Sequence, residues 1–472
     1  HDALLAGGAL GVGEGSTPQL KALFDHLGIA EADFMAACDA TYKLGIRFSG
    51  WSGRPGYESY FHPFPGPVDL HSQPGFIHNC LLARRGFAVS ALPDDWFLAA
   101  RLATLGRGSH PAPNFPFAPS YGYHFDANKL GAFLREWAVA RGVEHLPRKV
   151  EQVELAANGD VAALVCKGGE RIAGDVFVDC SGFRAVIAQG ALRGRFLPFA
   201  ENLFNDSAVV MPTARAEPLL PQTTSIAMQA GWRWHIPLTT RTGNGYVYST
   251  RHISDEAAEA ELRAAIGMHG SDVPARVLRM KVGRVEHSWQ RNCLAAGLAQ
   301  GFIEPLEATA LHIVIATAMD FAESLENGGF TAQHRDSFNR RIADRYDGIR
   351  DYIVAHYRMN QRRDTAYWRE NAANPALSDR LRAVMTAWFT HQDMAPAIAE
   401  IWADPPYGSM SWHCLLAGYG TFPPEEKIVA LPQGVQAAGV QEIETLLAAC
   451  ARNFAADDLC LRHREPAGAG GR

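Results

Sequence analysis

No apolar run in the 472 residues reaches the length of a transmembrane helix, and no secretory signal is visible. The eight cysteines stand at 38, 80, 166, 180, 293, 414, 450 and 460, and none forms a C-x-x-C. That excludes a zinc framework and a disulfide scaffold, and it suits a reducing cytoplasm. There is no basic excess: the net charge is −6 and the densest basic group is Arg358, Arg362 and Arg363. Nucleic acid and anionic membranes are therefore not favoured partners. No internal repeat appears, and no G-x-G-x-x-G phosphate loop. The chain opens at His1 rather than methionine, so its natural start, with such a loop, is expected upstream.

What is present is ordinary for a globular enzyme, with 47% hydrophobic and 20% charged residues. Thr17-Pro18 opens a helix through about Leu27, a second helix fits Glu31 to Cys38, and Tyr42 to Phe48 alternates as a strand. Residues 50–120 are rich in Pro, Gly and His, with only short ordered pieces expected. Asp126 caps a helix that ends before Gly142. Residues 148–180 read as a small meander, and further strands are predicted near 207–212, 224–229, 232–237 and 244–249. A helix follows over 255–266, then strands over 277–285 and 293–297. From Glu307 onward the chain reads as helix, over 307–325, 331–356 and 379–392. The tail 465–472 is expected to be disordered. The expected fold class is α/β with mixed sheets over residues 1–330 and a mainly helical region over 331–472.

Five stretches carry chemistry. In Gly231-Trp232-Arg233-Trp234-His235-Ile236-Pro237, the two tryptophans point to one side of an extended strand that the proline ends or edges. In Gly11-Val12-Gly13-Glu14-Gly15-Ser16-Thr17-Pro18, glycines allow close approach to a ligand and the helix start faces an anion. A plain Gly-rich turn fits equally. Lys43, in Tyr42-Lys43-Leu44-Gly45-Ile46-Arg47-Phe48, reads alone as a surface cation. Val176 to Phe183 is a β-branched strand ending in Asp179, then Cys180-Ser181-Gly182. Gly301-Phe302-Ile303-Glu304-Pro305-Leu306-Glu307-Ala308-Thr309-Ala310 runs from a glycine loop into a helix, where Glu307 alone reads as a first-turn acid.

Taken in order, these strings resemble the flavin-dependent halogenases, the tryptophan-halogenase family, whose patterns include W-x-W-x-I-P, F-K-x-x-I-x-F, F-I-D-C-S-G and G-F-x-E-P-L-E-S-T-G. Tyr123-His124-Phe125-Asp126-Ala127, Ala355-His356-Tyr357 and Asp364 to Trp368 agree as well. The resemblance implies a Rossmann-like, monooxygenase-type flavoprotein domain with a helical substrate-binding part. It implies Lys43 as the active-site lysine, Glu307 as the active-site glutamate, and the backbone at Thr309 and Ala310 as the halide contact. FAD would lie against Gly11, Val12, Gly13, Glu14, Asp179, Gly182, Gly301 and Phe302. A separate flavin reductase would supply FADH2. With O2, chloride or bromide would become hypohalous acid and travel to Lys43, where an electron-rich aromatic compound is halogenated. Glu307 would polarise that acid or take the ring proton. The strand of Trp232, Trp234, Ile236 and Pro237 would part substrate from flavin. A homodimer is a family-level expectation.

Departures stand beside the resemblance. Ala308 and Ala310 replace the usual Ser and Gly. On the substrate side His78 matches but its aromatic neighbours do not, and Trp412-His413 replaces a pair of tyrosines. Free tryptophan is thus less expected than an indole or a tryptophan-like compound. A flavin monooxygenase and a truncated, non-catalytic remnant remain alternatives at this point.

Overall fold

A computed structural model describes residues 14–456. Gly11, Val12, Gly13 and the tail 465–472 lie outside the described residues. Twelve strands frame the site. They are β1 (Glu14–Gly15), β2 (Thr41–Lys43), β3 (Gly45–Ser49), β4 (Ser59–Pro63), β5 (Gly122–Phe125), β6 (Phe177–Asp179), β7 (Ser207–Ala214), β8 (Thr223–Ala227), β9 (Gly231–Pro237), β10 (Arg241–Tyr248), β11 (Arg276–Arg279) and β12 (Cys293–Ala295). Six helices matter most: α1 (Gln73–Arg84), α2 (Ala127–Val139), α3 (Asp255–Ala265), α4 (Ala310–Asn327), α5 (Arg335–Met359) and α6 (Ser409–Gly418).

Seven strands form the large sheet in the order β11-β7-β10-β9-β8-β3-β4. Only β3 and β8 pair in parallel within it; the other neighbours are antiparallel. Trp232, Trp234 and Ile236 fall on one face of β9 by the two-residue period of a strand. β9 is interior, and Pro237 stands at its last position, where a missing N–H costs the ladder least. A small sheet, β1-β5-β2, sits beside it, and β6 pairs in parallel with β12. Helix α3 covers part of the outer face of the large sheet, through Tyr246, Tyr248, Ala258 and Leu262. The mixed α/β architecture is thus the one the sequence implies.

Several expectations need correction. Tyr42 to Phe48 is not one strand: β2 belongs to the small sheet and β3 to the large one. The break falls at Leu44, whose N–H donates to the Pro221 carbonyl at 2.8 Å. Gly45 then passes so close to β4 that a Cβ would lie 2.2 Å from the His62 carbonyl oxygen. Residues 50–120 are also more ordered than their composition suggests. They contain β4, the 12-residue helix α1 and the helix Leu98–Thr104. Burial of Phe76, Cys80, Leu82 and Ala83 fixes α1 despite a proline in its first turn, where the missing N–H is harmless. The meander ends at Ala173, because β6 pairs with β12 instead; the stretch 277–285 divides into β11 and a separate strand Gly283–Val285 in another sheet; and Glu307 lies in a tight turn before α4, which starts at Ala310. Asp126 caps α2 as expected, accepting from Asn128 N and Lys129 N. Among the described residues, no helix is long and apolar enough to cross a membrane.

Candidate active site

A cavity of about 510 Å³ lies between the tryptophan face of the large sheet, β1, α2 and the start of α4. Trp232, Trp234 and Ile236 supply its sheet wall. The two indoles are 6.1 Å apart and tilted, and Gly245 on β10 leaves room for Trp234: a Cβ there would lie 2.1 Å from the ring. The size and apolar lining suit a flat ring system such as a flavin. Glu14, Gly301 and Phe302 line this cavity, and burial lifts the Glu14 carboxyl to about 7. Ala308 and Ala310 line it too, at the N-terminal end of α4, whose free N–H groups favour an anion. Ala308 holds φ +55°, a left-handed conformation costly for a residue with a Cβ. That reversal joins the tight turn Pro305–Glu307 to the helix. Thr309 is buried at the helix start.

Lys43 reaches the cavity from β2 and is 0% exposed. Its Nζ has no hydrogen-bond partner and sits 5.4 Å from the centre of the Phe64 ring. Burial lowers its pKa from an ordinary 10.5 to about 7, against the pull of Glu307. A buried, unpaired amine this close to neutrality is uncommon and makes Lys43 a candidate functional residue.

Glu307 follows cavity-lining Leu306 but reaches elsewhere. Its Oε1 lies 3.3 Å from His62 Nδ1 and 2.9 Å from His356 Nε2, the latter off hydrogen-bond alignment. Burial pushes its pKa up, but the two imidazoles outweigh that and hold the carboxyl below its ordinary range. His356 is pinned from its other side by Tyr419, whose hydroxyl is 2.7 Å from Nδ1. Close by, Tyr352 stacks on Tyr407 at 3.6 Å and meets Trp412 edge-on at 4.8 Å. The turn itself is anchored by Glu304, which is fully buried. Its carboxyl accepts from Tyr357 Oη and, at 2.6 Å, from Asn205 Nδ2.

The remaining residues singled out in the sequence lie further off. Asp179 is buried, and its carboxylate accepts from Ser181 N and Oγ and from the N–H groups of Ile187 and Ala188. Gly182, at φ +71°, begins the turn that follows, and neighbouring Phe183 meets Phe302 edge-on. His78 is exposed on α1, its Nε2 3.0 Å from the Gln436 carbonyl oxygen. His413 turns from Tyr352 toward Trp388 and Phe76. Two histidines reach Glu307: His356, which belongs to a string that agrees with the family, and His62, unremarked in the sequence, as was Phe64. The available signal was Phe61-His62-Pro63-Phe64, an alternation that puts His62 and Phe64 on one side.

Residues 6–432 match the family model of tryptophan halogenase. The chain is 35% identical over 438 residues to the 7-chloro-L-tryptophan 6-halogenase KtzR of Kutzneria sp. (strain 744), covering 88% of this chain and 83% of that protein. It is 32% identical over 461 residues to the tryptophan 7-halogenase RebH of Lentzea aerocolonigenes, covering 90% and 86%. The solved structure of BrvH, a flavin-dependent halogenase from Brevundimonas sp. BAL3, superposes with a TM-score of 0.83 at 29% identity, covering 97% of this chain and 92% of that one.

Proposed function

This chain belongs to the tryptophan halogenase family of flavin-dependent enzymes, and on that premise we propose that it halogenates an electron-rich aromatic compound, such as an indole or a tryptophan-like molecule, at Lys43 and Glu307. FAD, reduced by a separate reductase, would lie against Glu14, Gly301 and Phe302 and, with O2, supply the oxidation of chloride or bromide to hypohalous acid. The observation that carries the reading is the lone buried amine of Lys43 at the wall of an apolar cavity, with the carboxylate of Glu307 beyond it.

The residues have separable tasks. The Trp232–Trp234 wall keeps the aromatic substrate from the flavin, which favours halogenation over direct hydroxylation. Lys43, largely neutral just above pH 7, offers a nitrogen lone pair or a hydrogen bond to the hypohalous acid. The ring attacks the electrophilic halogen, and a proton leaves the ring carbon. Glu307, held ionised by His62 and His356, is the base that takes it. Half-buried Tyr407, stacked on Tyr352 beside Trp412, offers an aromatic surface for the substrate ring.

The test is product analysis with FAD, a reductase, bromide or chloride, and a panel of indoles. Halogenated product is expected, and Lys43→Ala should abolish it while flavin oxidation continues. Hydroxylation without halogenation, or near-normal halogenation by Lys43→Ala, would overturn the reading.

A further inference from the structure

His124 has no part in the reaction above, yet it is fully buried behind the cavity wall between two hydroxyl groups. Its Nδ1 lies 3.0 Å from Thr41 Oγ1 and its Nε2 2.9 Å from Thr223 Oγ1. Thr41 donates its single hydroxyl proton to the Pro237 carbonyl at 2.7 Å. A carbonyl can only accept, so Thr41 Oγ1 must accept from the ring, and the ring proton sits on Nδ1. The ring stays neutral, because burial drives its pKa far down and Lys43 and His235 push the same way. Nε2 is therefore a bare lone pair, and the Thr223 hydroxyl donates to it. Every proton in this chain is committed.

Thr223 lines the cavity, and with its proton turned toward His124 its oxygen offers the cavity only lone pairs. Lys43 Nζ and Thr223 Oγ1 flank the same bare backbone at Gly15. A Cβ there would lie 3.3 Å from the nitrogen and 3.4 Å from the oxygen. A fixed acceptor and a partnerless donor thus share one small space.

Resting on the halogenation reading, we propose that Thr223 is a positioning residue: its oxygen, locked as an acceptor by the Pro237–Thr41–His124 chain, takes an N–H of Lys43 after a small rotation of the lysine side chain and turns the nitrogen lone pair toward hypohalous acid. The nitrogen lone pair then forms the N–halogen bond as the O–halogen bond breaks. The hydroxide that leaves takes the proton the nitrogen sheds, and water is the by-product. An acceptor also favours the ammonium form, so it sets the pH at which the amine becomes nucleophilic. The other ionisable groups acting on Nζ are Glu307 from the turn before α4 and neutral His124 from β5, and Glu14 from β1 lines the same cavity.

The experiment uses Thr223→Val, which removes the oxygen and keeps the shape, and Thr223→Ser, which restores it. NMR titration of the lysine side-chain nitrogens in protein without added flavin, with Lys43 assigned through Lys43→Ala, reads the amine directly. Thr223→Val should lower the Lys43 midpoint by about one pH unit, the worth of one hydrogen bond to a charged group. In the reductase-coupled assay its halogenated product per flavin oxidised should fall at least about tenfold, as misorientation of a reacting group does. Thr223→Ser should recover both. A Lys43 midpoint and a product yield in Thr223→Val equal to those of the parent protein would overturn the assignment. If Lys43→Ala halogenates normally, the halogenation reading itself fails and takes the role of Thr223 with it. The lysine variant thus separates the two failures.

Discussion

Lys43 is held at a cost, and the cost can be measured. In the unfolded chain its amine keeps a proton up to about its ordinary pKa of 10.5, whereas in the fold it keeps one only below about 7. Between those values the unfolded state binds more protons, so this group makes stability rise with pH from 7 toward 10.5. At neutral pH the displacement costs on the order of 4 kcal/mol. Lys43→Met, similar in reach and without charge, is expected to raise the denaturation midpoint at pH 7 while abolishing halogenation. A midpoint unchanged or lowered would mean that Nζ is better solvated than its burial implies. Lys43 was legible in the sequence only through its neighbours, since a lone lysine on a strand is ordinarily a surface cation. Glu307 was legible in the same way. The pairings were not: His62 meets Glu307 across 245 positions, and His124, though part of an agreeing string, meets Thr223 across 99, distances at which no local pattern speaks. The substrate-side histidine shows this best. His78 carries the family match but lies exposed on a helix, and His62, with no match to mark it, touches the glutamate.

At the scale of elements, legibility followed periodicity. The strands at 207–214 and 231–248, the helix at 255–265 and the long helices after 310 all carry their pattern locally. The bend at Leu44 does not, because it is set by backbone from β4 pressing on Gly45. Nor does α1, whose burial comes from elements distant in sequence, Trp96 among them: its ring would meet a Cβ on Gly75 at 2.7 Å. β9 and β10 show how one element shapes another. Gly245 has no side chain, and the Trp234 indole lies across it to form the cavity wall. Gly245→Ala places a methyl 2.1 Å from that ring, closer than any real contact, so the indole must leave its position. A loss of about 1–3 kcal/mol is expected, the usual cost of overpacking. Chemical denaturation gives the loss, and near-ultraviolet circular dichroism shows the displaced indole. An unchanged midpoint and spectrum would show the wall to be softer than it looks.

Across the whole molecule, buried groups of opposite sign set how stability follows pH. His124, His235, His312, His356 and His413 all have lowered pKa values from burial, His413 to about 4. Below about 6.5, the ordinary value, the unfolded chain binds protons that these rings refuse, so they lower stability as pH falls. Glu14 and Glu304, raised to about 7, and Asp69, raised to about 6, act in the opposite sense. Between pH 7 and their ordinary values near 4, the folded state holds protons that the unfolded state has released, so they raise stability as pH falls. The two sets oppose each other over about the same window, and stability should change little from pH 7 to 5. Below about 4.5 the raised acids contribute no further slope. The histidines and the lowered carboxyls of Glu307, Asp126, Asp255 and Asp364 then all favour unfolding. On the alkaline side Lys43 adds stability from pH 7 upward. From about pH 9 the five buried thiols of Cys38, Cys80, Cys293, Cys414 and Cys450, all raised, cancel that gain. They keep protons that the unfolded chain has lost, and stability falls as pH rises past their ordinary value. The melting temperature is therefore expected to be nearly flat from pH 5 to 7, highest between about 7 and 9, and to drop steeply below about 4.5. Differential scanning calorimetry across that range reads it. A steep fall already between pH 7 and 5 would mean that the histidines outweigh the buried acids.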